Sequence, residues 1–147
     1  MSPPPARVLL CIDDRPHLLR LRETLLGKQG YVVVAANSAA AAIAKLENCA
    51  IDGVLLEYKS EGMDAEAIAF QIKQRFPNQP IVLLSAYSEM PERVLCLVDE
   101  YVMKSQPVED LVQAIERAIR AKEEDYKPCR GRVIAFKRTS SGESKGA

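Results

Sequence analysis

Short apolar runs alternate with longer segments of helical periodicity along most of the chain. The runs are rich in β-branched and other apolar residues, and in the segments after them apolar residues recur every three or four positions. We therefore predict five strand–helix units. The predicted strands are residues 7–12, 31–36, 53–57, 80–85 and 100–103, and the predicted helices are 15–28, 38–47, 64–76, 89–97 and 107–124.

The first and last helices have regularly spaced apolar residues. In the first helix Leu18, Leu21 and Leu25 lie at helical spacing, with Leu19 and Leu26 adjoining. Ser38 is the expected N-cap of the second helix, because its hydroxyl can accept a hydrogen bond from a backbone N–H in the first turn. The last helix places four residues on one face: Leu111, Ile115, Ala118 and Ile119.

The alternation of strands and helices indicates an α/β fold. Strands that are apolar along their whole length are typical of a parallel sheet that helices cover on both faces. Five units in about 120 residues suit an open, doubly wound sheet better than an eight-unit barrel.

Composition and charge divide the chain into three parts. It has 147 residues, 48% of them hydrophobic, and 20 basic against 20 acidic side chains. Residues 1–126 carry 14 basic and 19 acidic side chains, whereas residues 127–147 carry 6 and 1. We predict a proline-rich leader at 1–6, one domain at 7–123, and a basic, disordered tail at 124–147.

Neither a membrane segment nor a zinc site is predicted. The chain has no run of about 18 apolar residues and its first residues do not follow the order of a signal peptide, so we expect a soluble, cytoplasmic protein. The single histidine is His17, and no two cysteines form a Cys-x-x-Cys pair. Free thiols are therefore expected at four positions: Cys11, Cys49, Cys96 and Cys129.

Polar residues follow or end four of the predicted strands. Asp13 and Asp14 follow the first strand, Glu57 ends the third, Ser85 ends the fourth, and Lys104 follows the fifth. Ligands of open α/β sheets bind at the carboxyl ends of the strands, so these side chains are the candidate site. Three carboxylates at one edge would repel each other unless Mg²⁺ or the lysine compensates their charge.

Four motifs in this order, each at a strand end, resemble the receiver domain of two-component response regulators, the CheY-like family. The resemblance covers residues 7–122 and implies a flavodoxin-like (βα)5 fold with a five-stranded parallel sheet in the order 2-1-3-4-5. The motifs are residues 8–14, 52–64, 81–86 and 101–104.

The resemblance also implies roles for single residues. In the family, paired acids hold Mg²⁺ beside an aspartate that accepts a phosphoryl group from a histidine kinase. A serine or threonine and a lysine contact that group, and an aromatic residue on the fifth strand changes rotamer. The matching positions are, in that order, Asp13 and Asp14, Glu57, Ser85, Lys104 and Tyr101, with Glu57 also counted among the predicted metal ligands.

Two departures from the family pattern make the predicted receiver atypical. Glu57 stands where the family has aspartate, and its carboxylate reaches roughly 1 Å further, which phosphoryl transfer tolerates poorly. The longer side chain could instead carry its charge toward Lys104 and Ser85 and imitate part of a phosphorylated site. Ser105 stands where the family has a cis proline, so we predict a trans peptide bond after Lys104.

We therefore predict a stand-alone, atypical receiver in phosphorelay signalling, which is not an enzyme. Its expected partner is a histidine kinase or a downstream effector, bound through the face of helix 4, strand 5 and helix 5. We expect no membrane or nucleic-acid partner, and a monomer or weak homodimer. Two alternatives remain open: a Mg²⁺-dependent phosphoryl-transfer enzyme with Asp13 as nucleophile, and a nucleic-acid-binding module that acts through the basic tail.

Overall fold

Five strands and five helices alternate in the computed structural model, which describes residues 5–58 and 62–125. Most of the predicted leader, and the basic tail from residue 126, lie outside the described residues. The elements are β1 (Val8–Ile12), α1 (Pro16–Lys28), β2 (Val32–Ala36), α2 (Ala39–Asn48), β3 (Gly53–Glu57), α3 (Ala65–Arg75), β4 (Ile81–Ser85), α4 (Glu92–Leu95), β5 (Glu100–Met103) and α5 (Val108–Asp125).

The strands form one parallel sheet in the order β2-β1-β3-β4-β5. This confirms the predicted fold class and strand order. Glu57 lies opposite Leu84, and Ser85 lies opposite Met103. The carboxyl ends of β3, β4 and β5 are therefore level, which places the residues at and after these ends beside each other.

The core has two layers, one on each face of the sheet. Leu10 and Ile12 point into the layer that includes residues of α2 and α3, whereas Leu9 and Cys11 point into the layer that includes residues of α1 and α5. Successive residues of a strand point to opposite faces, so a strand that is apolar at every position serves both layers.

The predicted face of α5 is buried, but the apolar spacing in α1 does not mark a buried face. Leu21 and Leu25 are 53% and 39% exposed, and Leu26 is the fully buried residue of this helix. The side of α1 that packs on the sheet carries Leu19, Arg22 and Leu26, so a charged residue lies in the middle of the inward face.

Helix α4 is shorter than predicted. The spacing predicts a helix at 89–97, whereas the structure has one turn at Glu92–Leu95. Pro91 explains the late start, because a proline disfavours helical backbone in the residue before it. Beyond the helix, the Leu97 N–H donates to the Val94 carbonyl in a turn. Among the described residues, no helix is long and apolar enough to cross a membrane.

Candidate functional site

The carboxyl edge of the sheet collects the buried polar side chains of the described residues. Asp13, Glu57 and Ser85 are 3%, 5% and 1% exposed. Each lies at or directly after the end of one of three adjacent strands. The predicted convergence of these side chains is therefore present in the structure.

Glu57 is surrounded by three cationic side chains. The Lys104 amine donates to Oε2 at 2.7 Å, and Nη2 of Arg22 donates to Oε1 at 3.3 Å. Nη2 of Arg15 lies 3.4 Å from Oε2. Both oxygens of this buried carboxylate are thus engaged by positive charge, which compensates the cost of burying it.

Asp13 is also paired with Arg15. The backbone N–H and Nε of Arg15 each donate to Oδ1 at 3.1 Å, and Nη2 donates to Oδ2 at 3.4 Å. The hydrogen bonds that the guanidinium donates to the Asp13 carboxylate raise the pKa of Arg15. Because the same guanidinium lies against Glu57, Arg15 bridges two of the three acids.

Asp14 contacts the loop that precedes α3. Its Oδ2 accepts a hydrogen bond from the Gly62 N–H, and a Cβ added at residue 62 would meet the same oxygen. Glycine at this position therefore lets the backbone approach the carboxylate closely.

Ser85 ends β4, and Tyr101 lies in β5, two residues before its end. The Ser85 hydroxyl accepts a hydrogen bond from the Tyr87 N–H at 2.9 Å, so the hydroxyl bonds to its own loop. Tyr101 packs against the core, and its hydroxyl is buried with no hydrogen-bond partner among the described residues. The switch roles of both residues stay predictions.

Lys104 holds its position through backbone and side chain together. Its N–H donates to the Ser85 carbonyl at 2.7 Å, which fixes the chain directly after β5. The described chain contains no cis peptide bond, so the bond to Ser105 is trans as predicted. The lysine still reaches Glu57 from this backbone.

The predicted Mg²⁺ ligands contact other groups of the protein in the structure. Within residues 5–58 and 62–125, no group of three or more His, Cys, Asp or Glu is arranged to hold a metal ion. Asp13 and Glu57 direct oxygens at Arg15, and Asp14 contacts Gly62. Metal binding by the three acids stays a prediction, and the arrangement of these side chains does not fit it.

The sequence pattern does not identify Arg15 and Arg22 as residues of the site. Arg15 directly follows the acid pair, and Arg22 lies seven residues later, about two turns along the same side of α1. The available signal for Arg22 was its position three residues after Leu19 and four before Leu26, on the side that packs on the sheet. A charge at such a position indicates a buried partner.

The chain matches one protein family over most of its length. Residues 9–116 match the model described as the response regulator receiver domain. The chain is also 32% identical over 122 residues to the transcriptional regulatory protein GlrR of Escherichia coli (strain K12). That match covers 81% of this chain and 27% of GlrR, so the chain spans about a quarter of this relative's length.

Two solved structures are similar to the whole described fold. A response regulator receiver domain protein from Clostridium thermocellum has a TM-score of 0.71 at 28% identity, covering 80% of this chain and 98% of that chain. The response regulator protein TrrA from Thermotoga maritima, solved in complex with Mg(2+)-BeF, has a TM-score of 0.69 at 26% identity. That match covers 76% of this chain and 98% of that chain.

Proposed function

Since the chain belongs to the response regulator receiver domain family, we propose that it is an atypical receiver that signals by protein–protein interaction without phosphorylation of its acceptor position. Receiver domains are signalling modules of two-component systems that interact with histidine kinases and effector domains. The proposal concerns this domain, because the chain spans about a quarter of GlrR. The stand-alone organisation stays a prediction.

The observation that carries the proposal is the pairing of Glu57. A carboxylate that attacks phosphorus needs an oxygen lone pair aimed at the donor and a reacting distance of about 3–3.5 Å. Both oxygens of Glu57 instead accept from or lie against cations, at 2.7 Å from Lys104 and 3.3 Å from Arg22. The pairing lowers the nucleophilicity of the carboxylate, because its oxygen lone pairs are directed at cations.

The pairing also supports part of the predicted imitation of a phosphorylated site. Glu57 makes the predicted contact with Lys104, whereas Ser85 bonds to Tyr87 and Tyr101 stays packed against the core. One carboxylate has two oxygens, fewer than the three of a phosphoryl group, and here both are already used. We propose that the lysine contact is permanent and the serine and tyrosine positions do not follow a phosphorylation cycle.

The experiment that tests this proposal is treatment with a small phosphodonor and Mg²⁺, followed by intact mass measurement. We expect no added phosphoryl group on the wild-type chain. An increase of one phosphoryl group that disappears in Glu57→Gln would overturn the proposal. Glu66→Gln, which removes an acid from α3, is the matched control. It shows whether any phosphorylation occurs at positions other than Glu57.

We propose that the partner binds the face formed by α4, β5 and α5. Leu95, in the single turn of α4, is 40% exposed. Elsewhere on this face, Nη2 of Arg117 donates to Oε1 of Glu100 at 2.9 Å, an ion pair between α5 and β5. An apolar side chain beside polar groups is a typical composition for an interface.

The partner face can be tested with two matched substitutions. Leu95→Asp places a charge on the proposed face, and Phe70→Asp places one on α3, where Phe70 is 50% exposed. We expect the first substitution to abolish affinity capture of the partner and the second to leave it unchanged. Equal capture by both variants would show that this face is not used.

The enzyme alternative receives no support from the site. Asp13, the candidate nucleophile, is 3% exposed and holds three hydrogen bonds from Arg15. The nucleic-acid alternative depends on the basic tail, which lies outside the described residues.

A further inference from the structure

Arg15 is held between two acids by its backbone as well as by its side chain. It is the N-cap residue of α1, with φ −107° and ψ 107°, and Pro16 at the helix start favours this extended conformation. The backbone N–H donates to Oδ1 of Asp13, and Nε donates to the same oxygen, both at 3.1 Å. Hydrogen bonds from both the backbone and the side chain of Arg15 therefore fix this residue against Asp13.

The guanidinium occupies the space between Asp13 and Glu57. Nη2 lies 3.4 Å from Oδ2 of Asp13 and 3.4 Å from Oε2 of Glu57. A Mg²⁺ ion that shared these carboxylates would need their oxygens at about 2.0–2.1 Å in a near-octahedral arrangement. The guanidinium would have to leave before the two acids could approach one ion.

Charge in the site is balanced without a metal. Among the described residues, Asp13, Asp14 and Glu57 contribute three negative charges, and Arg15, Arg22 and Lys104, which pair with Asp13 and Glu57, contribute three positive charges. Adding a divalent cation would leave an excess of two positive charges beside the buried carboxylates of Asp13 and Glu57, where charges are less screened than at an open surface.

We infer that Arg15 takes the place of a divalent cation in this receiver, so that the site excludes Mg²⁺ while Arg15 is present. The inference deepens the proposed function, on which it rests, by naming what holds the acids together. Arginine suits this role because its planar guanidinium keeps its charge and can bond two carboxylates at once. The receiver would then hold its state regardless of Mg²⁺ concentration.

The inference is tested by titrating Mg²⁺ alone into the ¹⁵N-labelled chain and following the backbone amide signals. In the wild type we expect no saturable shift at the amides of Asp13, Asp14 and Glu57. In Arg15→Gln we expect saturable shifts at these amides and an apparent dissociation constant at least about tenfold lower than any limit set for the wild type. Arg20→Gln removes an exposed charge from the same helix and should behave as the wild type does.

Two further controls keep the result decisive. Arg15→Lys retains a positive charge and should bind Mg²⁺ more weakly than Arg15→Gln. If Arg15→Gln does not fold, as judged by amide dispersion, Arg15→Lys and the wild type still test the inference, because saturable shifts in the wild type overturn it. Failure of Arg15→Gln to gain Mg²⁺ binding while folded also overturns it.

The outcomes separate this inference from the proposed function. Saturable Mg²⁺ binding by a wild-type chain that the phosphodonor does not modify would reject the inference and leave the proposed function in place. Phosphorylation of the wild type at Glu57 would reject the proposed function, whatever the Mg²⁺ titration shows.

Discussion

The amine of Lys104 lies 2.7 Å from Oε2 of Glu57, and this salt bridge passes over the end of β4. Glu57 ends β3 and Lys104 follows β5, the two strands that pair with β4 on either side. The contact therefore joins the ends of β3 and β5 across β4, at the edge where the site lies. We expect the stability of the fold to depend in part on this contact.

Removing the charge of Glu57 should destabilise the fold. In Glu57→Gln the cations of Arg15, Arg22 and Lys104 lose their shared anion. Loss of one partner from a buried ion pair costs about 3–5 kcal/mol, and the partial exposure of these cations reduces the expected loss to about 1–3 kcal/mol. Urea unfolding measures the change in the free energy of unfolding.

The matched control for this prediction is Glu66→Gln. Glu66 pairs with Arg93 at 3.0 Å, but both side chains are exposed, and surface pairs contribute about 0–1 kcal/mol. Equal losses in Glu57→Gln and Glu66→Gln would contradict the structural importance of the buried pair.

A reactive acceptor should require two changes together. Glu57→Asp shortens the side chain by one methylene, but Arg15 still covers the acids, so we expect little phosphorylation by a small phosphodonor. Adding Arg15→Gln should open the site and increase the modified fraction, which intact mass measures. If the single variant is modified as fully as the double variant, Arg15 does not obstruct the site.

Tyr101 and Tyr31 should respond oppositely to loss of their hydroxyls. The Tyr101 hydroxyl is buried without a partner among the described residues, so Tyr101→Phe should raise the free energy of unfolding by about 1 kcal/mol. The Tyr31 hydroxyl donates to Oε2 of Glu116 at 2.6 Å, so Tyr31→Phe should lower it by about 1–2 kcal/mol. A destabilised Tyr101→Phe would indicate a bonded hydroxyl and a different position for this ring.

Stability should fall as the pH rises above 9, through Cys11. Burial raises the pKa of the Cys11 thiol from 9.0 to about 12. Between these two pKa values the unfolded chain loses the thiol proton, whereas the folded chain keeps it. Because the folded state binds more protons, its stability decreases as the pH rises. One such group contributes a slope of about 1.4 kcal/mol per pH unit.

The contribution of Cys11 is measured by comparing urea unfolding of the wild type and Cys11→Ala across pH 9 to 10.5, a window chosen from the two pKa values. Cys11→Ala should lose most of this slope. The smaller side chain also changes the free energy of unfolding, but by an amount that does not depend on pH. The exposed Cys49 serves as the control, since Cys49→Ala should keep the wild-type slope. Parallel curves for the wild type and Cys11→Ala would contradict the raised pKa.

The sheet was predictable because its strands are apolar at nearly every position and each is followed by a helix. The buried face of α5 was also predictable, because its apolar residues recur at helical spacing on one side of the helix. The inward-facing side of α1 was not predictable from spacing, because leucines occur on more than one side of this helix. In addition, the long Arg22 side chain extends along the sheet and places its guanidinium against Glu57. Local periodicity cannot reveal such a contact between residues 35 positions apart.

The site was predictable in part. Strand ends indicated where Asp13, Glu57 and Lys104 would meet, because parallel strands bring their carboxyl ends to one edge. Which cationic side chain pairs with each carboxylate depends on side-chain conformations in the folded chain. The sequence pattern left open whether Mg²⁺ or Lys104 compensates the charge of the acids, whereas the structure pairs them with Lys104 and also with Arg15.

The most direct test of a site held in one state is the addition of Mg²⁺ and beryllofluoride, the group bound in the TrrA structure, to the ¹⁵N-labelled wild-type chain. We expect the amide signals of Glu57, Ser85, Tyr101 and Lys104 to keep the chemical shifts that they have before the additives are introduced. Saturable shifts at these four residues that vanish in Glu57→Gln would contradict it.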